Sequence, residues 1–428
     1  MARGKKAVKE LTPEEKLQQA LVPVEEQPYP IPENWCWIKL SNVIELVSGR
    51  DVPLTDCNSE GIGIPYILGA SNIENNTFTV ERWIETPQII SNKGNILLSV
   101  KGTIGKLYIQ QEEQINISRQ IMAIQPLEVL NSKLVYLFLL LVCDELREAG
   151  NGLIPGISRA DILDKAFPFV PFSEQTRIVS RIESLFAKLD EAKEKVQAVV
   201  DGFELRKSAI LHKAFTGELT ERWRKEYGVG MESWKRCLIG EVFDLQAGKN
   251  ISAKEISSQQ TDLYRYPCFG GNGIRGYVEQ FNREGEHPII GRQGALCGNI
   301  NLANNQFYAT EHAVVVSYKM DVSTPWAYHY LKFLDLNQYA TATAQPGLAV
   351  SNIVKVPIQY IPFEEQQELS RILDTLLNKE QQAKEAAEAV LFQIDTMKKA
   401  ILARAFRGEL GTNDPAEESA AELIKSVL

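Results

Sequence analysis

KSAILHKAFTGEL, residues 207–219, aligns with KKAILARAFRGEL, residues 398–410, with nine of thirteen positions identical, where chance gives about one. The same offset of 191 pairs PFSEQ (171–175) with PFEEQ (362–366) and Gly156-Ile157 with Gly347-Leu348, without a gap. Further upstream, WCWIKLSNVIELVSGR (35–50) pairs with WKRCLIGEVFDLQAGK (234–249) at an offset of 199. These share the Trp, a Val, an acid, a Leu, a Gly and a final basic residue. The chain is a tandem duplication. Its first copy is eight residues longer in the globular part, while the segment behind that part keeps its length. Loops tolerate such differences; a helix that serves as a ruler does not.

Each copy therefore has two parts. The first is about 130 residues of mixed character, with short β-rich runs (FTVERWI at 78–84, GNILLSV at 94–100, HAVVVSY at 312–318) between Gly, Asn and Pro turns. One apolar helical stretch sits in each, at 133–148 and about 325–338. The second part is a long helix. Pro171 and Pro362 precede its start, with Glu174-Gln175 and Glu365-Gln366 in the first turn. Apolar residues then recur at helical spacing: Ile178, Ile182, Leu185, Phe186, Leu189, Val196, Val199, Phe203 and Ile210 in one copy. Leu369, Leu373, Leu376, Leu377, Ala383, Val390, Leu391, Ile394 and Ile401 form the other stripe. Gly217 and Gly408 are stop signals. About 40 residues at 1.5 Å each make a rod of about 60 Å, and a helix with one apolar stripe needs a partner. The other copy supplies it. Two copies related by a pseudo-twofold pack antiparallel, with one globular part at each end.

Composition bounds the rest. The 428 residues suffice for two or three domains, and 44% hydrophobic with 24% charged is globular composition. The longest apolar run, LVYLFLLLVC at 134–143, has ten residues and ends in Asp144-Glu145, half of what a membrane helix needs. No apolar h-region follows the charged start MARGKKAVKELTPEEK, and the six scattered cysteines form no C-x-x-C pair. These features predict a cytoplasmic protein with reduced thiols and neither a membrane anchor nor a zinc site. The net charge of −9 argues against a nonspecific nucleic-acid coat. It is unevenly spread: residues 34–170 carry 11 basic against 15 acidic groups, whereas 232–361 carry 11 of each.

Three enzyme-like strings fail on inspection. GNGIRG at 271–276 satisfies G-x-G-x-x-G, but no helical period follows and position 291, where an acid is needed, is Gly291. Phe269, Gly271 and Gly273 imitate the F-x-G-x-G of S-adenosylmethionine enzymes, yet the chain lacks an (Asn/Asp/Ser)-Pro-Pro-(Tyr/Phe) string to hold a target base. GTIGK at 102–106 falls short of a P-loop at both ends, at Val100 and Leu107. No catalytic or metal-binding residue is expected.

What remains is a set of polar and basic residues beside glycine turns. In copy one these are Ser71, Asn72, Lys93, Lys101, Lys106 and Arg119; in copy two, Asn272, Arg275, Arg292, Gln293, His312 and Gln345. Arg, Lys, Asn and Gln read base edges or hold phosphates, and glycine lets a backbone approach a ligand closely. These twelve are the candidate DNA-binding residues.

From Pro32 to Leu410 the sequence closely resembles the specificity (S) subunit of type I restriction–modification systems. PENWCWIKLSNVIELVSG resembles the opening of that family's first target-recognition domain. NILLSVKGTIGKL and HPIIGRQGALCGNI resemble its glycine-centred strand-turn signature, with Asn95 where an Asp often follows Gly94. ISRADILDKAFPFVPFSEQ resembles the passage into the central conserved region, which AFTGELTERWR closes. The resemblance implies an α+β chain of two tandem α/β target-recognition domains with β-rich cores. Two long helices that pair as an antiparallel coiled coil separate and follow them.

On this reading the chain divides into an N-terminal extension (1–31), a first target-recognition domain (32–170), a central long helix (171–217) and a linker (218–232). A second target-recognition domain (233–361), a C-terminal long helix (362–410) and an acidic tail (411–428) follow. Short helices are expected at 11–21 and in the tail. The resemblance further implies a non-catalytic subunit that binds double-stranded DNA at a bipartite site, one half per domain. Two methyltransferase (M) subunits supply S-adenosylmethionine and adenine-N6 chemistry, and two restriction (R) subunits can add ATP- and Mg-dependent translocation and cleavage. The alternatives are an orphan DNA-binding adaptor and a degenerate S-adenosylmethionine-dependent DNA methyltransferase; binding of that cofactor by the isolated chain separates the last.

Overall fold

In the computed structural model, which describes residues 12–150, 155–294, 296–341 and 346–428, the long helices begin at Phe172 and Phe363. Both starts are fixed by buried polar side chains of the Glu-Gln pair. Gln175 accepts from the Asn131 N–H at 2.8 Å and donates to the Val129 and Val170 carbonyls at 2.9 and 3.1 Å. Gln366 does the same with the Ser323 N–H (2.8 Å) and the Asp321 and Ile361 carbonyls (3.3 and 2.8 Å). Each amide thus fastens the long helix to the loop that starts the apolar helix, Ser132–Ala149 in one copy and Thr324–Phe333 in the other.

The neighbouring carboxylates are fully buried. Glu365 accepts from Trp234 Nε1 (3.0 Å), Thr220 Oγ1 (2.7 Å) and Arg224 Nη1 (2.7 Å). Glu174 accepts from Trp35 Nε1 (2.7 Å), Thr412 Oγ1 (3.1 Å) and Asn413 Nδ2 (2.9 Å). The repeated Trp and the repeated Glu are therefore two ends of one contact, and the segment behind each long helix completes it. Residues 218–232, expected as a linker, instead carry a helix at Glu221–Tyr227 with Arg224 buried. A buried guanidinium needs an acceptor, and Glu365 provides it. The acidic tail is likewise held down. Arg177 donates to the Thr412 carbonyl and makes a two-pronged pair with Glu417 at 2.8 and 2.7 Å. A helix at Ala420–Lys425 then buries Ala420 and Ile424 beside Leu17 of the N-terminal helix Pro13–Ala20.

The chain separates into two compact units, one of residues up to Lys195 with Val390–Leu428, the other Val196–Ala389. Each takes the first part of one long helix and the last part of the other. Within the first unit the segments run antiparallel: Lys193 pairs with Asp395 at 2.8 Å, Lys398 pairs with Asp190, and Lys398 lies over the Phe186 ring at 5.0 Å. Ile178, Ile182, Leu402 and Phe406 enter one core with the Ser132–Ala149 helix. In the second unit Arg206 pairs with Glu380 at 2.7 Å and Lys384 lies over Phe203 at 4.8 Å, again antiparallel. Leu211, Phe215, Leu369 and Leu373 close that core.

The stripe differs from expectation at a few positions. Ala383, Val199 and Val390 are exposed, while Ala387 is buried. The first helix continues through Gly202 with only a local irregularity: the Gly202 N–H donates to the Ala198 carbonyl and the Arg206 N–H to the Gly202 carbonyl, each at 3.1 Å. Its two stretches are Phe172–Asp201 and Phe203–Phe215, with Gly202 at φ −76°, ψ −4° between. Glycine loses most on being fixed in a helix, and here its missing side chain leaves room for Arg206, whose Nη2 donates to the Val199 carbonyl at 2.9 Å. The second helix, Phe363–Ala405, is unbroken over 43 residues. Both copies end alike: Gly217 and Gly408 have φ +89° and +76°, and the next N–H reaches back five residues, Glu218 to Lys213 and Glu409 to Arg404, each at 2.9 Å.

Two larger sheets, beside smaller two-stranded pairs such as Cys36–Lys39 with Ala166–Phe169 and Lys235–Leu238 with Pro357–Tyr360, build the rest of each unit. In the first, an antiparallel sheet has strand order Leu107–Ile109, Ile96–Ser99, Ile121–Pro126, Ile44–Ser48. A mixed sheet has the order Cys57–Asn58, Trp83–Ile84, Ile64–Ile67, Gln114–Ile117, Ile90–Asn92. The second unit repeats this with Phe243–Ala247, Ala313–Tyr318, His287–Gly291, Ile300–Ala303, and with Gly273–Val278, Tyr266–Gly270, Gln306–Ala309, Arg283–Glu284. Central strands are apolar on both faces because both are covered. Ile96 and Leu98 face the helices while Leu97 faces the other sheet; Val314 and Val316 alternate with Ala313 and Val315 in the same way.

Replacing Glu365 with Ala strands Arg224 and is expected to destabilise the chain by about 3–5 kcal/mol in urea titration of the full-length protein. A loss under about 1 kcal/mol would show that the contact is dispensable.

Candidate nucleic-acid interface

In each unit the chain passes twice from the mixed sheet into the antiparallel one, first between Ile90–Asn92 and Ile96–Ser99 or between Arg283–Glu284 and His287–Gly291, and again at a three-residue crossing. In the first unit that crossing is Ser118-Arg119-Gln120, between Gln114–Ile117 and Ile121–Pro126; in the second, Thr310-Glu311-His312, between Gln306–Ala309 and Ala313–Tyr318. The strand before each crossing is parallel to a neighbour, Asn116 beside Tyr66 and Cys268 beside Tyr308. The backbone around the crossing is the same in both copies. Val100 N–H donates to the Gln120 carbonyl and Arg292 N–H to the His312 carbonyl, at 2.8 and 3.0 Å. Ile157 N–H donates to Val100 and Leu348 N–H to Arg292; Gly102 N–H donates to Pro155 and Gly294 N–H to Pro346. Lys101 bridges to Gly156, and Gln293 to Gly347.

Two repeated glycines make the crossing possible. A Cβ on Gly49 would lie 2.1 Å from the Ser118 carbonyl oxygen, and one on Gly248 would lie 2.1 Å from that of Ala309. The residues that follow, Arg50 and Lys249, are exposed and donate their N–H groups to the Ile117 and Ala309 carbonyls at 3.0 Å. Sequence reading did not select these two cations. Their signal was the final basic residue of the aligned strings.

The structure gathers part of the candidate set. Lys101 and Arg119 share the first unit's rim, and exposed Ser71 follows Gly69, whose open face Gln120 fills. Arg119 is held by Asp51, which binds its N–H at 3.1 Å and its Nε at 2.7 Å. Asn72 is a correction. It is buried, accepts from the Leu68 and Gly69 N–H groups and donates to the Thr79 carbonyl. Its amide is spent on shaping a turn. Lys93 sits at the far end of the strand, paired with Glu113 at 2.8 Å, and Lys106 lines a groove against the Ser132–Ala149 and long helices with Lys133, Lys193 and Lys399. In the second unit Arg292, Gln293 and His312 come together. Asn272, at the tip of the hairpin Tyr266–Gly270/Gly273–Val278, accepts from Asn299 at 3.0 Å, and Arg275 lies exposed on its second strand. GNGIRG is thus a hairpin turn, as its lack of a following helix predicted. Gln345 lies outside the described residues.

Glu311, absent from the candidate set, completes this rim. Its Oε1 lies 3.2 Å from His312 Nε2. Its Oε2, His312 Nδ1 and Asn301 Nδ2 are buried and have no partner among the described residues. Other chemistry is thin here: burial pushes the Cys36 thiol up to about 12 and Cys268 to about 11, far from nucleophilic range. Among the described residues, no cluster of His, Cys, Asp and Glu is suited to a metal, and no helix is long and apolar enough to cross a membrane.

A model of the type I restriction modification DNA specificity domain matches the chain twice, over residues 32–200 and 231–389. The chain belongs to this family. The specificity subunit of the Escherichia coli EcoprrI type I restriction enzyme is 50% identical over 140 residues, 33% of this chain and 35% of that one. The chain thus matches about a third of that relative's length. The Escherichia coli EcoDI specificity subunit is 22% identical over 442 aligned positions, 93% of this chain and 95% of that one. A solved chain from work on assembly and conformational transition of a type I R-M system superposes with a TM-score of 0.72 at 18% identity, over 89% of this chain and 100% of that one. The HsdS subunit from Thermoanaerobacter tengcongensis gives 0.58, also at 18% identity, over 90% and 100%. These likenesses are of fold. The two matched spans of this specificity-family chain follow its internal duplication.

Gly49→Ala and Gly248→Ala are each expected to cost about 1–3 kcal/mol in urea titration, because backbone must move. Gln120→Ala, on an exposed side chain, is expected to stay within about 0.5 kcal/mol. Equal effects would contradict the close-approach argument.

Proposed function

We propose that the chain is the non-catalytic DNA-recognition subunit of a type I restriction–modification complex, working in the cytoplasm. Each unit reads one half of a bipartite site in double-stranded DNA. The antiparallel long-helix segments fix the gap and bind two methyltransferase subunits, which bring S-adenosylmethionine and methylate adenine N6. Two restriction subunits, using ATP and Mg, add translocation and cleavage. One observation carries this reading: a single backbone arrangement occurs twice in one chain, presenting different polar side chains each time. A duplicated binding module with divergent side chains is what two unlike half-sites require.

The physical division of labour is consistent. Methylating a base in a duplex requires flipping it, at a cost that contacts elsewhere must offset. Two half-sites must match a fixed module spacing, which a helix pair holds and a flexible linker does not. The chain's net charge of −9 leaves much of the phosphate neutralisation to partners.

Exchanging residues 35–155 for those of another family member, in a chain expressed with its partner subunits, is expected to change one half of the methylated site and spare the other. A change in both halves would contradict modular reading. Deleting seven residues from each long helix, in register, is expected to alter the permitted gap and keep both half-site sequences; altered half-site letters would contradict the spacer role.

A further inference from the structure

We infer that the crossing dipeptides, Arg119-Gln120 and Glu311-His312, are the base-reading positions of the two units, Arg119 taking a guanine and Glu311 the amino group of a cytosine. We assign Arg50 and Lys249, at the same place in each copy, to the phosphate backbone. This deepens the proposed function and rests on it.

The two copies share one backbone around the crossing and differ in the side chains it carries. Where chemistry is kept while sequence diverges, a shared task is served. Arg50 and Lys249 are both cations, both exposed, and both set by a hydrogen bond to the strand before the crossing. The ligand common to both half-sites is phosphate, which carries no sequence information. Where the backbone is kept and chemistry changes sign, the task differs. At the second crossing residue a cation in one copy, Arg119, faces a carboxylate in the other, Glu311. A carboxylate is repelled by phosphate, so a phosphate role at this position is excluded for the second unit. It accepts from the N4 amino group of cytosine, as arginine donates to O6 and N7 of guanine.

The local geometry supports both assignments. Asp51 occupies the Nε edge of Arg119 at 2.7 Å. That contact orients the planar guanidinium, whose fork geometry offers further N–H groups for a bidentate contact. Glu311 Oε1 is engaged by His312, while Oε2 is shielded from solvent and has no donor among the described residues. An acceptor left without a partner is costly, and the Glu311 side chain, 37% exposed, can turn to offer it to an incoming amino group. Asn301 Nδ2 and His312 Nδ1 of the same unit likewise have no partner among the described residues.

The test maps N6-methyladenine across the genome of cells expressing the full chain with its partner subunits, as wild type and as Arg119→Ala, Glu311→Gln, Arg50→Ala and Lys249→Ala. Expected for Arg119→Ala is a relaxed requirement at one G·C pair of one half-site. Expected for Glu311→Gln is relaxation at one C·G pair of the other half-site. Purified complexes should show discrimination at that pair reduced on the order of tenfold or more. Arg50→Ala and Lys249→Ala should weaken all sites alike and lower the salt-dependence slope by about one. The assignment is overturned if the motif is unchanged in both crossing variants. It is equally overturned if both alter the same half-site, or if either reduces methylation uniformly without changing the motif. A wild-type chain that directs no bipartite methylation would instead overturn the proposed function.

Discussion

A glutamate and a glutamine, buried in the first turn of each long helix, fix the architecture of both units. The glutamine amide satisfies two backbone groups of the loop that launches the apolar helix and one carbonyl just ahead of the long helix. The glutamate carboxylate, removed from water, gathers the tryptophan that opens the copy and the segment that follows the other copy's helix. A buried carboxylate without partners is not tolerated. The tryptophan, the helix start and the returning segment are therefore tied to one point in each unit. Everything outward of that point, including the two sheets and their crossing, is positioned from it.

The duplication also separates scaffold from message. Hydrogen bonds around the crossing recur atom for atom, from Val100 and Arg292 to Gly102 and Gly294. Glycines at 49 and 248 are needed in both copies because a carbonyl oxygen occupies the space of a side chain. Side chains on the crossing itself, Arg119-Gln120 against Glu311-His312, share neither charge nor shape. A backbone held this firmly can present altered side chains without altered register. Such a scaffold lets recognition diverge while the fold stays the same.

Much of this was legible in the sequence, and the exceptions have physical causes. The repeat, both helix starts and both stop glycines were readable because they depend on local chemistry. The local irregularity at Gly202 was not, because it leaves the offset between copies unchanged. Residues 218–232 looked like a linker since the acid that buries Arg224 lies 141 residues away. Asn72 has the side chain of a base reader, yet its amide is consumed by a turn. Residue type alone points to cations and amides for DNA, so Glu311 carries no such signal; only its place equivalent to Arg119 in the duplicate gives a carboxylate a reading role. Arg50 and Lys249 stood in the aligned strings, but their placement beside the crossing depends on the sheets.

In the proposed function, one chain with two copies of a recognition unit directs methylation of one bipartite site. The most direct measurement is a comparison of genome-wide N6-methyladenine in the native host with and without this gene. The account predicts that a single two-part motif loses methylation when the gene is removed. An unchanged methylation map would contradict it.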